Sequence, residues 1–348
     1  MKKTALLFLI ISIFMSVFVT SCADNNDTLG SVSSGVASYE EVSSTIKTDI
    51  NGNFTFEFDP YVLPKSVIKA IGGNEEYVKL VDAILGRQSS VSVSSQNAYD
   101  NLRFAIDECF VLSFLVKEFD YDSENNLILI SYNFSDTHNE KIDEVKTAVN
   151  EILTASVEKN DKNALAAISV YSYLAQNISL DGKTLNVADD DTSSQIAQTE
   201  TENETLDLYS TLINKKSNSQ LISKLYSFLL MQLGIDSKTV GCWQNNEYIT
   251  FNLINLDNKW FFCDINAEQS KTEGKGLKFF GMNTKRLEGY ITAKEIYTGQ
   301  YNWFTSDLPA ANSKRFNDLQ NVISWEVSSQ RSAIDAFTEE YSRIVFKF

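Results

Sequence analysis

Apolar positions along the chain repeat with two periods, and the changes between them predict its elements. Helical spacing runs through Val67, Ile68, Ile71, Tyr77, Leu80, Val81 and Leu85, interrupted at Gly72-Gly73, and again over Ala98 to Asp107. Ile142, Val145, Val149, Ile152 and Leu153 make one apolar face. Leu165, Ile168, Tyr171, Leu174 and Ala175 make another, with Asp161 as the expected N-cap. A stripe through Leu221, Ile222, Leu225, Leu229 and Leu233 predicts a helix over Ser217 to Leu233 that stops at Gly234. Strand alternation marks Phe54 to Phe58, and a hairpin of Leu112 to Phe119 with Asn126 to Phe134. Three further strands, Lys238 to Trp243, Tyr248 to Leu256 and Lys259 to Ile265, are separated by Gln244-Asn245-Asn246 and Asp257-Asn258. A helix leading into an antiparallel meander is an α+β pattern.

Other stretches follow neither period. Lys2 and Lys3 precede an apolar run from Ala5 to Val19, which ends at Val19-Thr20-Ser21-Cys22. This resembles the bacterial lipoprotein signal and its lipobox. The resemblance implies cleavage after Ser21 and a lipid on Cys22, so that residues 1–21 are a signal peptide and the protein is anchored in the cell membrane or envelope, outside the cytoplasm. The alternative is a signal anchor, but the run is short for a span of roughly 20 residues. Residues 22–38, rich in Asn, Asp, Ser and Gly, read as a flexible tether. Residues 181–205 are polar and acidic and read as a disordered insertion. Within it, Asp189-Asp190-Asp191 lacks the glycine and distal glutamate of a calcium loop and reads as solvated charge.

Composition narrows the function classes. A formal net charge of −16 disfavours nucleic acid as a partner. One histidine, His138, excludes most multi-histidine metal centres and leaves one candidate imidazole base; its place after a strand predicts a surface turn. Cys109, Cys242 and Cys263 are odd in number and irregularly spaced, so buried free thiols are expected rather than a disulfide framework. No phosphate-binding glycine loop or Gly-x-Ser-x-Gly elbow occurs, and neither a cofactor nor a metal is expected.

One constellation carries candidate chemistry. The run from Leu208 to Ser219, continuing as Gln220-Leu221-Ile222 to Leu233-Gly234-Ile235, resembles the nucleophile segment of the transglutaminase-like superfamily, A-Y-G-A-L-x-x-x-x-G-V-C followed by Q-G-Y-A-x-A-F-x-x-L-L-x-x-L-G-I. The run Ile249-Thr250-Phe251-Asn252 to Trp260-Phe261-Phe262-Cys263-Asp264 resembles its H-A-W-N-x-V-x-L-D-G-x-W-Y-x-V-D block, and Phe279-Phe280 resembles a later Tyr-Phe pair. The resemblance implies a papain-like core, a helix packed on an antiparallel sheet, over residues 141–305. Residues 39–136 would form an N-terminal α/β extension and residues 306–348 a C-terminal one.

In that family a cysteine at a helix N-terminus is the nucleophile, a histidine on the next strand is its base, and an aspartate one strand on orients the histidine. The resemblance puts Ser219 at the nucleophile position, Ile249 at the base position and Asp264 at the orienting position. Only Asp264 is kept. Isoleucine cannot accept a proton, and a general base contributes roughly 10²–10⁴-fold to rate. Ser219 then reads as a helix N-terminal serine that bonds the open backbone amides, Ile249 as strand core, and Phe251 and Trp260 as core aromatics. The expectation is a catalytically inactive module that binds or scaffolds a peptide, glycan or envelope-protein partner. The alternative is an amide hydrolase or transglutaminase-type enzyme rewired around Ser219 and Asp264, with a base such as His138.

Overall fold

The computed structural model describes residues 46–48, 54–158, 161–180, 206–244, 247–291 and 308–322. All belong to one unit, Gly35–Phe348. The stretches read above as a lipoprotein signal, a tether and a disordered insertion lie outside the described residues.

The chain begins with a short antiparallel pair, β1 (Ile46–Thr48) and β2 (Phe54–Phe56). Helix α1 (Lys65–Ala70) is separated from α2 (Glu75–Leu85) by Gly72 and Gly73, whose φ of 78° and 127° is easy only for glycine. Strand β3 (Ser90–Ser92) leads to α3 (Gln96–Cys109), capped by Ser95, which accepts from Ala98 N–H at 3.2 Å. The hairpin predicted next forms as β4 (Val116–Asp122) and β5 (Leu127–Tyr132), in the sheet order β3-β5-β4. It starts later than expected, because Ser113–Leu115 turns into a 3₁₀ helix.

Helix α4 (His138–Ser156) presents Ile142, Val145, Val149, Ile152 and Leu153 to the core, as its spacing predicts. Helix α5 (Asn163–Asn177) is buried on nearly all sides, so its residues are apolar or small all round. Asp161 is not its N-cap. Lys162 holds that position without a side-chain bond, and Asp161 turns back to accept from Glu158 N–H at 2.8 Å. Strands β6 (Ser179–Leu180) and β7 (Lys216–Ser217) pair in parallel, with α6 (Leu208–Ile213) between them in sequence. Asp207 and Ser210 start α6 with a reciprocal capping box.

Helix α7 (Ser219–Gln232) then runs into the meander β8 (Ser237–Gln244), β9 (Glu247–Leu256) and β10 (Lys259–Cys263), in the order β10-β9-β8. Asp257 and Asn258 both take positive φ, 54° and 58°, as a two-residue turn between twisted strands requires. Helices α8 (Ile265–Thr272) and α9 (Thr284–Glu288) follow. The architecture is mixed helix and antiparallel sheet, compatible with α+β.

Two hydrophobic clusters flank the meander. The larger draws on residues from Phe56 to Val322 and takes Ile254, Leu256, Phe261 and Cys263 from the sheet. The smaller takes Val240, Cys242, Phe251, Leu253 and Phe262 from the opposite face, together with Phe279, Met282 and Leu287. Distant parts of the chain are also joined by hydrogen bonds. The Gln232 carboxamide accepts from Asp59 N–H at 2.8 Å and donates to Asp59 O at 2.7 Å, across 173 residues. Among the described residues no helix is long and apolar enough to cross a membrane.

Candidate functional site

The three positions singled out by sequence sit around α7 and the meander. Ser219 is the first residue of α7 and half-buried. It does not cap the helix. Asn218, with the extended backbone of a cap residue, accepts from Leu221 N–H at 2.9 Å, and Ser219 is already inside the helix. Its carbonyl accepts from Ser223 Oγ at 2.8 Å. Its hydroxyl has no hydrogen bond among the described residues.

Ile249 lies on β9 opposite Cys242, half-buried against the smaller cluster with Phe251 and Trp260. Side chains alternate along a strand, so Thr250 and Asn252 point the other way. Asn252 Nδ2 donates to Ser223 O at 2.8 Å and to Ser227 Oγ at 2.9 Å, which places α7 on that other face. Ile249 therefore faces away from the helix that Ser219 opens.

Asp264 follows β10 directly and is the N-cap of α8, accepting from Ala267 N–H at 2.8 Å through Oδ1. Its Oδ2 accepts from the Tyr290 hydroxyl. The side chain is buried, so both oxygens depend on these donors. Burial pushes its carboxyl up to about 6, although the Tyr290 and Ala267 hydrogen bonds pull downward. The same surroundings hold the Tyr290 hydroxyl well above its ordinary value, by burial first and then by the Asp264 charge. Burial, with Asp264 nearby, raises the Cys242 thiol to about 11. Asp264 thus shares the smaller cluster's face with Ile249 and Cys242.

Behind Asp264 lies Glu268, fully buried. Its Oε2 accepts from Phe279 N–H at 2.7 Å and lies 2.9 Å from the Tyr171 hydroxyl, and Oε1 accepts from Thr272 Oγ1 at 2.8 Å. The Tyr171 hydroxyl is also 2.9 Å from Asp264 O. Tyr290 was not singled out by sequence, and Tyr171 only as part of an apolar helix face. They lie 26 and 93 residues from Asp264, and no local pattern announces such pairs.

His138 is buried rather than in a surface turn, because helix α4 begins on it and its ring docks edge-on to Tyr132. Its Nε2–H donates to Ile84 O at 2.9 Å. Cys242 and Cys263 are buried free thiols and Cys109 is a half-buried one. Cys263 is held far above the ordinary thiol range by burial, so it is no more a ready nucleophile than Cys242. Phe251 is fully buried and Trp260 half-buried. Among the described residues no cluster of His, Cys, Asp and Glu is placed to hold a metal ion. Cys22 and Asp189-Asp190-Asp191 lie outside the described residues.

No family model matches the chain, and no curated protein matches it. Among solved structures, the chain is similar to one described as a crystal structure of a TGase, at 12% identity and a TM-score of 0.27. The likeness covers 51% of this chain and about half, 48%, of the other.

Proposed function

We propose that the chain is a lipid-anchored envelope protein, held through Cys22, whose transglutaminase-like core is a non-catalytic module that binds or scaffolds a peptide, glycan or protein partner. The observation that carries this reading is the state of Asp264. An orienting carboxylate needs an imidazole to orient, and here its oxygens are taken by a helix cap and by Tyr290, with Ile249 in the base position. His138 is engaged with Ile84 in its own pocket, and the Ser219 hydroxyl has no base beside it among the described residues.

The experiment is a pair of assays on the full chain, peptide hydrolysis and amine incorporation into a glutamine peptide, with Ser219→Ala alongside. The expected result is no turnover above blank in either protein. Turnover that Ser219→Ala abolishes would establish the rewired enzyme instead. Anchoring is tested by labelling cells with a radioactive fatty acid; the label should be lost in Cys22→Ala.

A further inference from the structure

We propose that the outward face of the β3-β5-β4 sheet docks an extended, basic segment of a partner protein, one with lysine or arginine at every second position. The strand register fixes what that face carries. Phe119, Tyr121, Ile128 and Ile130 pack against the larger core cluster. Alternation then puts Glu118, Asp120 and Asp122 in a row on the opposite face of β4, with Leu127 and Leu129 beside them on β5. Asp120 lies directly opposite Leu129, and Asp122 opposite Leu127.

Both rows are left open. Glu118 and Asp120 are exposed, and their carboxylates make no hydrogen bond or ion pair among the described residues. Asp122 spends its own on the β4–β5 turn, where it accepts from Glu124 N–H and from Asn125. The base of the strand, Lys117, sits where the register shifts and pairs with neither acid among the described residues, and Arg103 on α3 pairs with Asp107. Aspartate is depleted in strands, and like charges along one face repel. Beside this row Leu129 is 41% exposed on the central strand. Charge on an edge strand guards it against stray pairing, but that leaves an exposed leucine in the middle of the sheet unexplained.

The spacing selects the occupant. Alternate residues of a strand stand roughly 7 Å apart, too far for two carboxylates to share one ion, and among the described residues no acidic cluster is placed to hold a metal. The same spacing separates alternate side chains of any extended chain, so a basic segment laid along β4 and β5 meets the row in step. The acidic and leucine rows are one strand apart, about 4.8 Å. One long basic side chain spans both: its hydrocarbon stem covers the leucine while its head meets the carboxylate. A second copy of this chain fits poorly, because it would bring the same acidic row and a net charge of −16. The inference goes beyond the reading above, since this face shares no residue with Ser219, Ile249 or Asp264, and the catalytic assays do not bear on it.

The test is fluorescence anisotropy, with the full chain titrated into a dye-labelled peptide that alternates arginine and threonine, and into a peptide of the same composition whose arginines form one block. The expected result is saturable binding of the alternating peptide, about tenfold or more tighter than the block. Glu118→Gln with Asp120→Asn should weaken it about tenfold or more. Asp143→Asn with Glu151→Gln removes the same charge from exposed positions on α4, and should leave binding unchanged. Leu129→Ser, at an exposed position, should keep the thermal unfolding profile while weakening binding about threefold or more. The proposal is overturned by no saturable binding up to about 0.3 mM chain, by equal binding of the two peptides, or by Leu129→Ser binding as tightly as the parent. It is also overturned if the α4 pair weakens binding as much as the sheet pair, which is general attraction to an acidic protein. A dimer in sedimentation that Leu129→Ser abolishes would overturn it by giving the face to a second copy.

Discussion

The two faces of the β8–β10 sheet are built by opposite rules. Toward α7 the sheet offers Ser237, Thr239, Thr250 and Asn252, and the helix answers with Ser223 and Ser227. Three buried atoms in that seam, Thr239 Oγ1, Thr250 Oγ1 and Asn252 Oδ1, have no partner among the described residues. Away from α7 the sheet offers Val240, Cys242, Phe251, Leu253 and Phe262, with Asp264 and its tyrosine partner at the margin. One face is therefore held mainly by apolar contact. The other holds a polar layer inside the larger core, where small side chains let helix and sheet approach closely. The two faces thus differ in make-up: one is apolar throughout, and the other sets a polar layer beside Ile254, Leu256 and Phe261 of the larger core.

The largest effect should come from breaking the apolar face. Phe251→Ala removes a fully buried ring stacked edge-on against Phe262, and should lower the unfolding free energy by about 3–5 kcal/mol in chemical denaturation. Next comes the margin of that face, which responds to pH. Asp264 titrates near 6 in the fold against an ordinary 3.8, so between these values the folded protein binds more protons than the unfolded one. Stability should therefore fall as pH rises from about 4 to 6, by on the order of 3 kcal/mol, and this group adds no further change above that. Asp264→Asn retains a cap oxygen but no charge, and should flatten this part of the profile. A profile that rises through the same window in the parent would refute the assignment.

On the polar face the effects are smaller. Gly241 lies under its neighbours, and a Cβ there would sit 2.6 Å from Ile249 O and 2.7 Å from the Tyr248 ring. Gly241→Ala should cost about 1–3 kcal/mol, because strand backbone cannot give way cheaply. The smallest change is the sharpest test of the comparison. Thr250→Val removes a buried hydroxyl that bonds to nothing described, and should be neutral or stabilising by up to about 1 kcal/mol. A loss of 2 kcal/mol or more would show that the seam is satisfied after all.

Much of this region was legible in the sequence. The meander strands and α7 were placed to within about two residues, because alternation, helical spacing and the Asp257-Asn258 turn all speak locally. The short pieces were not. Strand β3 is three residues long, and the parallel β6–β7 pair is two on two, too brief for any period to show. The capping errors at Asp161 and Ser219 have one cause. Each has a competent neighbour or an alternative amide within three residues, and composition cannot choose between them. His138 misled because its polarity suggests a surface, while the Ile84 carbonyl that makes its burial tolerable comes from 54 residues upstream. Tyr290 was invisible for the same reason of distance.

The Gln232 carboxamide, closed on the backbone of Asp59 by two hydrogen bonds, imposes a timetable on biosynthesis. The anchoring point leaves the ribosome 173 residues ahead of the side chain that holds it. At translation speeds of about 5–20 residues per second, that is a wait of about 10–30 s. During it the first strands and α1 have no native dock at this point. Gln232→Leu removes both bonds to Asp59 and should lower the unfolding free energy by about 1–3 kcal/mol, and because the contact closes late the loss should show mainly as faster unfolding.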